Sequence, residues 1–454
     1  MSAEPGADAS VLGRLLTRVA PIEPRETPAV VAAFCLFFCV LGGYFAVRPV
    51  RETIGTILGE ERVADLYFAT WMASLLVIPA YGFLVARFRR SVLLPSIYGG
   101  IAVALASVGL ALQTSGGSIA VGQFFYVFIS VLNLFIVSVF WSFLLELFDS
   151  GQSKRLFGVI AAGGTAGALL GPLITDLSVS YIGNGGVLFL GASLFVGAIA
   201  CQRVLIAIWA HERAEGAAGA AAPRGNPAAA PAVRDRPIGG NPLAGITLVA
   251  RSRYLLGIAL FVVLLASVST FLYFEQLRLV KETFPDIEQR TRVFARLDWI
   301  VQSLTIVSQI FITGRIASRL GLTVLLSIVP VAMVFGFLAL AASGTFAMLA
   351  VVFVLRRAGE YAFVRPGREM LFSRVDTETK YKAKNLIDVP VYRGADWVAG
   401  QVKTGLDGAG FAAAVVAMLG AAIAGAWAVN GWWLGRRHDA DTAARSPSTP
   451  AKSA

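Results

Sequence analysis

Twelve stretches of about 20 largely apolar residues, spaced along nearly the whole chain, constrain this sequence more than any other feature. Inside hydrocarbon the backbone N–H and C=O groups have no water to bond, so each stretch must be a helix that satisfies them internally. Cutting the chain at its charged or Gly/Asn/Ser-rich breaks places the spans at 29–51, 64–86, 91–113, 119–148, 157–181 and 186–210. A second set follows at 252–276, 294–316, 320–342, 345–366, 385–407 and 410–434. Composition agrees, since only 15% of the 454 residues are charged, against about a quarter in soluble domains. The first apolar run, 29–47, follows a polar segment and is one of many like it, so it reads as a retained span and not a signal peptide. The expected fold is an all-α polytopic membrane protein with the lipid bilayer as its solvent.

Charge sets the expected orientation. Arg87, Arg89, Arg90, Lys154, Arg155, Arg251, Arg253, Arg315, Arg319, Arg374, Lys380, Lys382, Arg436 and Arg437 fall in alternate connections, while the connections at 113–118 and 183–186 carry no charge. Short basic loops stay cytoplasmic, so both termini are expected there. The same clustering accounts for the net charge of +11 without a nucleic-acid partner. The expected organisation is a cytoplasmic segment 1–28, a six-helix half 29–210, an Ala/Gly/Pro-rich flexible linker 211–250, a second six-helix half 251–435, and a disordered tail 436–454. The Ala- and Arg-rich composition points to a bacterial inner membrane. Cys35, Cys39 and Cys201 lie in apolar stretches without metal or disulfide spacing and read as inert thiols.

The halves repeat. Val47-Arg48-Pro49-Val50-Arg51-Glu52-Thr53 closes the first span and Leu277-Arg278-Leu279-Val280-Lys281-Glu282-Thr283 closes the seventh. A second pair, Gly82 to Arg90 and Gly314 to Gly321, follows the next span of each half at nearly the same offset. Two ordered matches argue for parallel, pseudo-symmetric halves. The second pair resembles degenerate copies of the Gly-x-x-x-Asp-Arg-x-Gly loop of the major facilitator superfamily, with Ala86 and Ser318 at the acidic position and Arg89 at the second glycine. That resemblance implies the superfamily's twelve-helix fold.

Charges tolerated within spans point to a cargo, because an unpaired one is costly in lipid and normally faces an aqueous cavity. Arg356 and Arg357 fall near the middle of the tenth span, and Glu360 is one turn on, so at least one arginine can pair with it. The other is expected to have spare donors for an anionic group of a substrate. Lys384, Asp388, Tyr392 and Asp396 form one polar stripe on the eleventh span, with Arg393 beside it. Arg48, Arg51, Arg278 and Lys281 add cations at the ends of the first and seventh spans. These eight bases are the candidate substrate ligands; Glu275, Asp298, Glu360, Asp388 and Asp396 are candidate ion-pair partners or coupling groups. The excess of bases favours a small anionic solute.

Gly43-Tyr44 with Arg48 to Glu52, Phe140-Trp141-Ser142-Phe143 leading to Lys154 to Gly167, and Lys380 to Asp388 with Tyr392 to Asp396 together resemble the ATP:ADP antiporter, or nucleotide translocase, family. The resemblance implies a major-facilitator-like fold and exchange of nucleotides without ATP hydrolysis. It sets Arg51 at the basic residue closing the first helix and Lys384 at the lysine opening the eleventh. It also implies acids in the fourth and seventh helices, where this chain has Ile129 and Tyr273; Glu275 lies close to the second. Those departures match the broad bacterial branch of the family, whose cargo need not be ATP.

Three readings follow: an alternating-access carrier of a nucleotide or other organic phosphate, a proton-coupled carrier of another solute, and a non-transporting membrane scaffold or sensor. No enzyme, cofactor or metal motif is present: His211 and His438 lie in connections, and the glycines at 163, 164 and 167 read as close helix packing, not a phosphate loop. A monomer is compatible with all three readings.

Overall fold

A computed structural model describes residues 22–23, 25–88, 90–115, 118–219 and 244–445. The spans, taken in order, are α1 Thr27–Leu58, α2 Glu60–Arg87, α3 Arg90–Ser115, α4 Ile119–Leu147, α5 (150–182) and α6 (184–219). The second set is α7 Arg253–Thr283, α8 (287–320), α9 (322–343), α10 (346–371), α11 (377–408) and α12 Ala413–Arg445. Nine helical stretches among the described residues are long and apolar enough to cross a bilayer. One of them, 151–210, is two spans joined at Gly183, whose φ of +67° reverses the chain in a conformation that favours glycine. The charged α10 and α11 complete the twelve.

Helices outrun the apolar pattern at their ends. Asp286 accepts the N–H of Gln289, so α8 starts at Ile287, well before the predicted 294. Glu288, Arg290, Arg292 and Arg296 in its first turns break the apolar run without breaking the helix. The expected linker 211–250 is helical at both described ends: α6 continues to Gly219, and a short helix, Ala244–Arg251, precedes α7. The expected tail 436–454 is helical as far as Arg445. Arg374 donates to the carbonyls of Arg437 (3.0 Å) and His438, anchoring that end of α12.

The chain divides into two compact units, Met1–Arg51 with Val77–Pro231 and Glu52–Leu76 with Ala232–Ala454, taken over their described residues. In the first, α5 lies against the backbone of α1. A Cβ at Gly171 would sit 2.6 Å from the carbonyl oxygen of Gly42, and one at Gly163 or Gly167 would collide with the carbonyls of Phe34 or Phe38. Close packing, as the sequence suggests, is what these glycines do. In the second unit α9 packs on α12, with Phe261, Phe337 and Trp427 buried in one apolar core. Large apolar side chains such as Leu76, Val103, Phe335 and Val429 stay more than half exposed, a surface suited to acyl chains.

Candidate functional site

In the first unit Arg51 donates to Ser130 Oγ (3.0 Å) and lies over the ring of Tyr126, 5.2 Å from its centroid. Both partners are on α4, and Ser130 in turn donates to the Tyr126 carbonyl. Ile129, where the resemblance asks for an acid, is fully buried. Arg48, also in this unit, is half-buried.

The second unit holds the larger charged constellation, and its geometry comes from π-helical turns. Such turns, with i→i+5 bonding, often accompany functional sites because they free carbonyls and shift side-chain register. α8 has one at Gln309–Thr313, α10 at Glu360–Val364 and α11 at Ile387–Val391. Those of α8 and α10 are bonded together: Gln309 Nε2 donates to the Tyr361 carbonyl (3.2 Å) and Thr313 Oγ1 to that of Ala362 (3.0 Å). In α11 the cause is local, because Pro390 has no N–H to give an α-helical bond.

Along α10 the bases and acids form a ladder. Arg356 pairs with Glu360 (3.0 Å), as their spacing predicts, and also donates to Ser269 Oγ of α7 (2.5 Å). Arg357 meets Asp298 of α8 at 2.5 Å and the Tyr361 hydroxyl at 3.4 Å, with its guanidinium also over Phe353, and these two bonds use two of its five N–H donors. Arg365 reaches Glu360 at 3.5 Å and stacks on the Tyr361 ring at 4.3 Å. One turn further, Arg368 pairs with Asp388 of α11 (3.2 Å) and Lys384 with Glu369 (2.6 Å). Arg393 and Asp396 are 3.7 Å apart on α11, and Thr270 of α7 donates to Asp396 (3.1 Å).

Among the described residues, the ion pairs of the ladder join six bases, Arg356, Arg357, Arg365, Arg368, Lys384 and Arg393, to five acids, Asp298, Glu360, Glu369, Asp388 and Asp396. Arg365 shares Glu360 with the closer Arg356, and its side chain is 56% exposed. Sequence reasoning missed Arg365, Arg368 and Glu369.

Arg278, Lys281 and Glu275 stand apart, at the C-terminal end of α7. Arg278 is clasped by Glu275 and by Glu282 (3.0 Å), while Lys281 is exposed. Tyr273 donates to Glu52 (2.7 Å). Lys403 of α11, 2% exposed, lies among Asp407 (2.5 Å), Glu60 (3.3 Å) and Glu275 (4.0 Å).

Solved structures share this arrangement of helices. The nucleoside transporter NupG superposes with a TM-score of 0.61 at 12% identity, over 91% of this chain and 99% of that one. The POT family transporter PepTSo gives 0.59 at 12% identity, over 92% and 99%. A bacterial homologue of the human lysosomal transporter Spinster gives 0.54 at 15% identity, over 91% and 94%. The fold is of the major facilitator type, twelve helices in two halves. No family model and no curated protein matches the sequence, so the likeness to nucleotide exchangers rests on the quoted motifs alone.

Proposed function

We propose that this chain is a secondary-active carrier that moves an organic phosphate anion, of the nucleotide class, by alternating access. The supporting observation is the ladder's surplus base. Arg365 is accessible, oriented by the Tyr361 face, and shares its carboxylate with a better-placed arginine, so an incoming phosphate can take its donors without stranding Glu360. The structural neighbours include a nucleoside transporter and peptide transporters, which supports a solute-carrying role for the fold but leaves the cargo to this chain's own charges. The proposed ligands are Arg365, Lys384 and Arg393 on α10 and α11. Arg356 and Arg357, held in short buried pairs, act as the frame.

The test is thermal unfolding of the purified protein with nucleotides, other organic phosphates and carboxylates, since a ligand that binds only the native state raises the midpoint. A rise with nucleotides that is lost in Arg365→Gln supports the reading. Silence from every phosphate refutes it.

A second reading draws on Asp396. Its carboxylate is buried, its arginine is no closer than 3.7 Å, and Thr270 gives it one hydrogen bond. That is the setting of a carboxylate able to accept a coupling proton. Uptake that follows a pH gradient, ignores nucleotides and is lost in Asp396→Asn would favour a proton-coupled carrier of another solute.

A further inference from the structure

The short helix Ala244–Arg251 is seated in the second unit by Val249, which is buried in the apolar core with Leu255 and Ala383. The chain then turns at Ser252, whose N–H bonds to the Val249 carbonyl (3.3 Å) and whose hydroxyl accepts the N–H of Leu255 (3.3 Å) to start α7. Facing this corner is the link from α10 to α11. Tyr254 donates to the Leu371 carbonyl (3.0 Å) at one end of the link, and Asp376 accepts the N–H of Thr379 (2.9 Å) at the other. Between the two corners lies a cavity of about 430 Å³, with Arg251, Arg374 and Asp376 among its polar lining and Leu248, Leu255 and Val375 among its apolar lining.

The two arginines differ in what they have to offer. Arg374 already donates to the carbonyls of Arg437 and His438. Arg251 is exposed and makes no hydrogen bond or ion pair with the described residues. Both helix starts are capped, by Ser252 and by Asp376, so the donors open to a ligand are the five N–H groups of Arg251.

Trp433 marks how deep the cavity lies. Its ring packs on Gly257 of α7, where an added Cβ would sit 2.6 Å from it, and Asn430 donates to the Gly257 carbonyl (3.0 Å). Trp432 and Trp433 are both exposed, with the Arg436 guanidinium over the first ring (4.9 Å) and that of Arg437 over the second (5.6 Å). Exposed tryptophans beside arginines at the end of a span belong to the interfacial belt, where indoles lie among lipid headgroups. Arg251 to Leu255 come just before Gly257 along the chain, so the cavity opens at the level of the lipid phosphates.

The geometry points to this cavity as a headgroup site for an anionic phospholipid. The phosphodiester takes the donors of Arg251, the second oxygen of Asp376 accepts a headgroup hydroxyl, and Leu248, Leu255 and Val375 receive the glycerol and the first methylenes of the chains. Exposed Arg253, Arg436 and Arg437 at the same end add attraction for a negative leaflet. A free nucleotide fits less well, because its several charges would meet Asp376 with one unengaged guanidinium to offset them. None of the ladder's residues lines the cavity, so this site and the carrier site stand or fall separately.

The test titrates short-chain phosphatidylglycerol, phosphatidylcholine and glycerol phosphate into delipidated full-length protein in neutral detergent and follows the unfolding midpoint. Phosphatidylglycerol should raise it, and phosphatidylcholine should not. Arg251→Gln should need roughly ten-fold more phosphatidylglycerol for the same rise, the scale of one hydrogen bond to a charged group. Lys154→Gln, an exposed base in the first unit, and Arg365→Gln, in the ladder, should both respond as the parent does. Arg251 has no partner to lose, so its variant should melt with the parent when no lipid is added. Silence from phosphatidylglycerol, an equal response to phosphatidylcholine, or one curve for the parent and Arg251→Gln overturns the site. A glycerol phosphate response that Arg251→Gln weakens as much as the lipid response overturns the lipid and leaves a site for free phosphate.

Discussion

Glu360 and Arg365 face each other because α10 makes a π turn between them: the Arg365 N–H bonds to the Glu360 carbonyl, five residues back. On a regular α-helix, residues five apart point about 140° from each other, at 3.6 residues per turn. The turn converts that into neighbourhood, and Tyr361 supplies the surface on which the guanidinium lies.

Arg365→Gln should therefore weaken phosphate binding by about ten- to a hundred-fold, the worth of one charge-assisted hydrogen-bonded contact, while leaving the unliganded melting temperature within a degree or two. Isothermal titration and thermal unfolding of the same preparation check both halves. A large loss of unliganded stability would mean that Arg365 is a structural member of the ladder.

Periodicity and cost made much of this legible beforehand. The twelve spans follow from apolar length, and the Arg356–Glu360 pair from α-helical spacing. The π turns escaped because no apolar period announces a one-residue insertion in the helical bonding, so Arg365 fell off the expected face. Arg368 with Asp388 and Lys384 with Glu369 escaped because each joins residues 20 and 15 positions apart, a pairing that packing alone decides. The change of unit at 51–52 and 76–77 lies inside continuous helices, where no composition shift marks it.

Arg357 and Asp298, both nearly fully buried, should behave as a structural pair. Arg357→Met alone leaves a carboxylate without its arginine and should cost about 3–5 kcal/mol, whereas Arg357→Met with Asp298→Leu should recover most of that loss. Unfolding midpoints of the two single variants and the double variant close the cycle. If the single variant is as stable as the parent, the pair carries no structural weight and Arg357 returns to the list of cargo ligands.

The contact between α5 and α1 makes a contrast between two glycines of one helix. Gly171→Ala sets a methyl against the Gly42 carbonyl and the Ala46 N–H, so α1 must move and the cost should be about 1–3 kcal/mol. Gly158→Ala meets nothing within 4 Å and should be neutral or stabilising by up to about 1 kcal/mol, the helix-propensity gain. Thermal unfolding in detergent separates them; equal effects would mean that the close approach is not under strain.

At the start of α9 the cap comes from another helix. Leu320 and Gly321 have no side-chain acceptor, and Gly321 turns the chain with φ +77°. Asp439 of α12 accepts the N–H groups of Leu322 (3.2 Å) and Thr323 (3.1 Å), as well as the Thr323 hydroxyl (2.7 Å). A helix start without a cap leaves orphan donors, and losing one capping side chain costs about 0.5–2 kcal/mol. Asp439→Ala should therefore destabilise by that amount and should raise amide exchange first at 322–325, because the loss falls on those N–H groups before it falls on the core. Thr323→Val should give a smaller loss, since it removes the hydroxyl donor and keeps both backbone bonds. Gly321→Ala should be worse than either, for the added Cβ would lie 2.9 Å from the Asp439 carboxylate on a backbone that already disfavours a side chain. Hydrogen exchange at 322–325 that is the same in Asp439→Ala as in the parent would show that water caps α9 as well as Asp439 does.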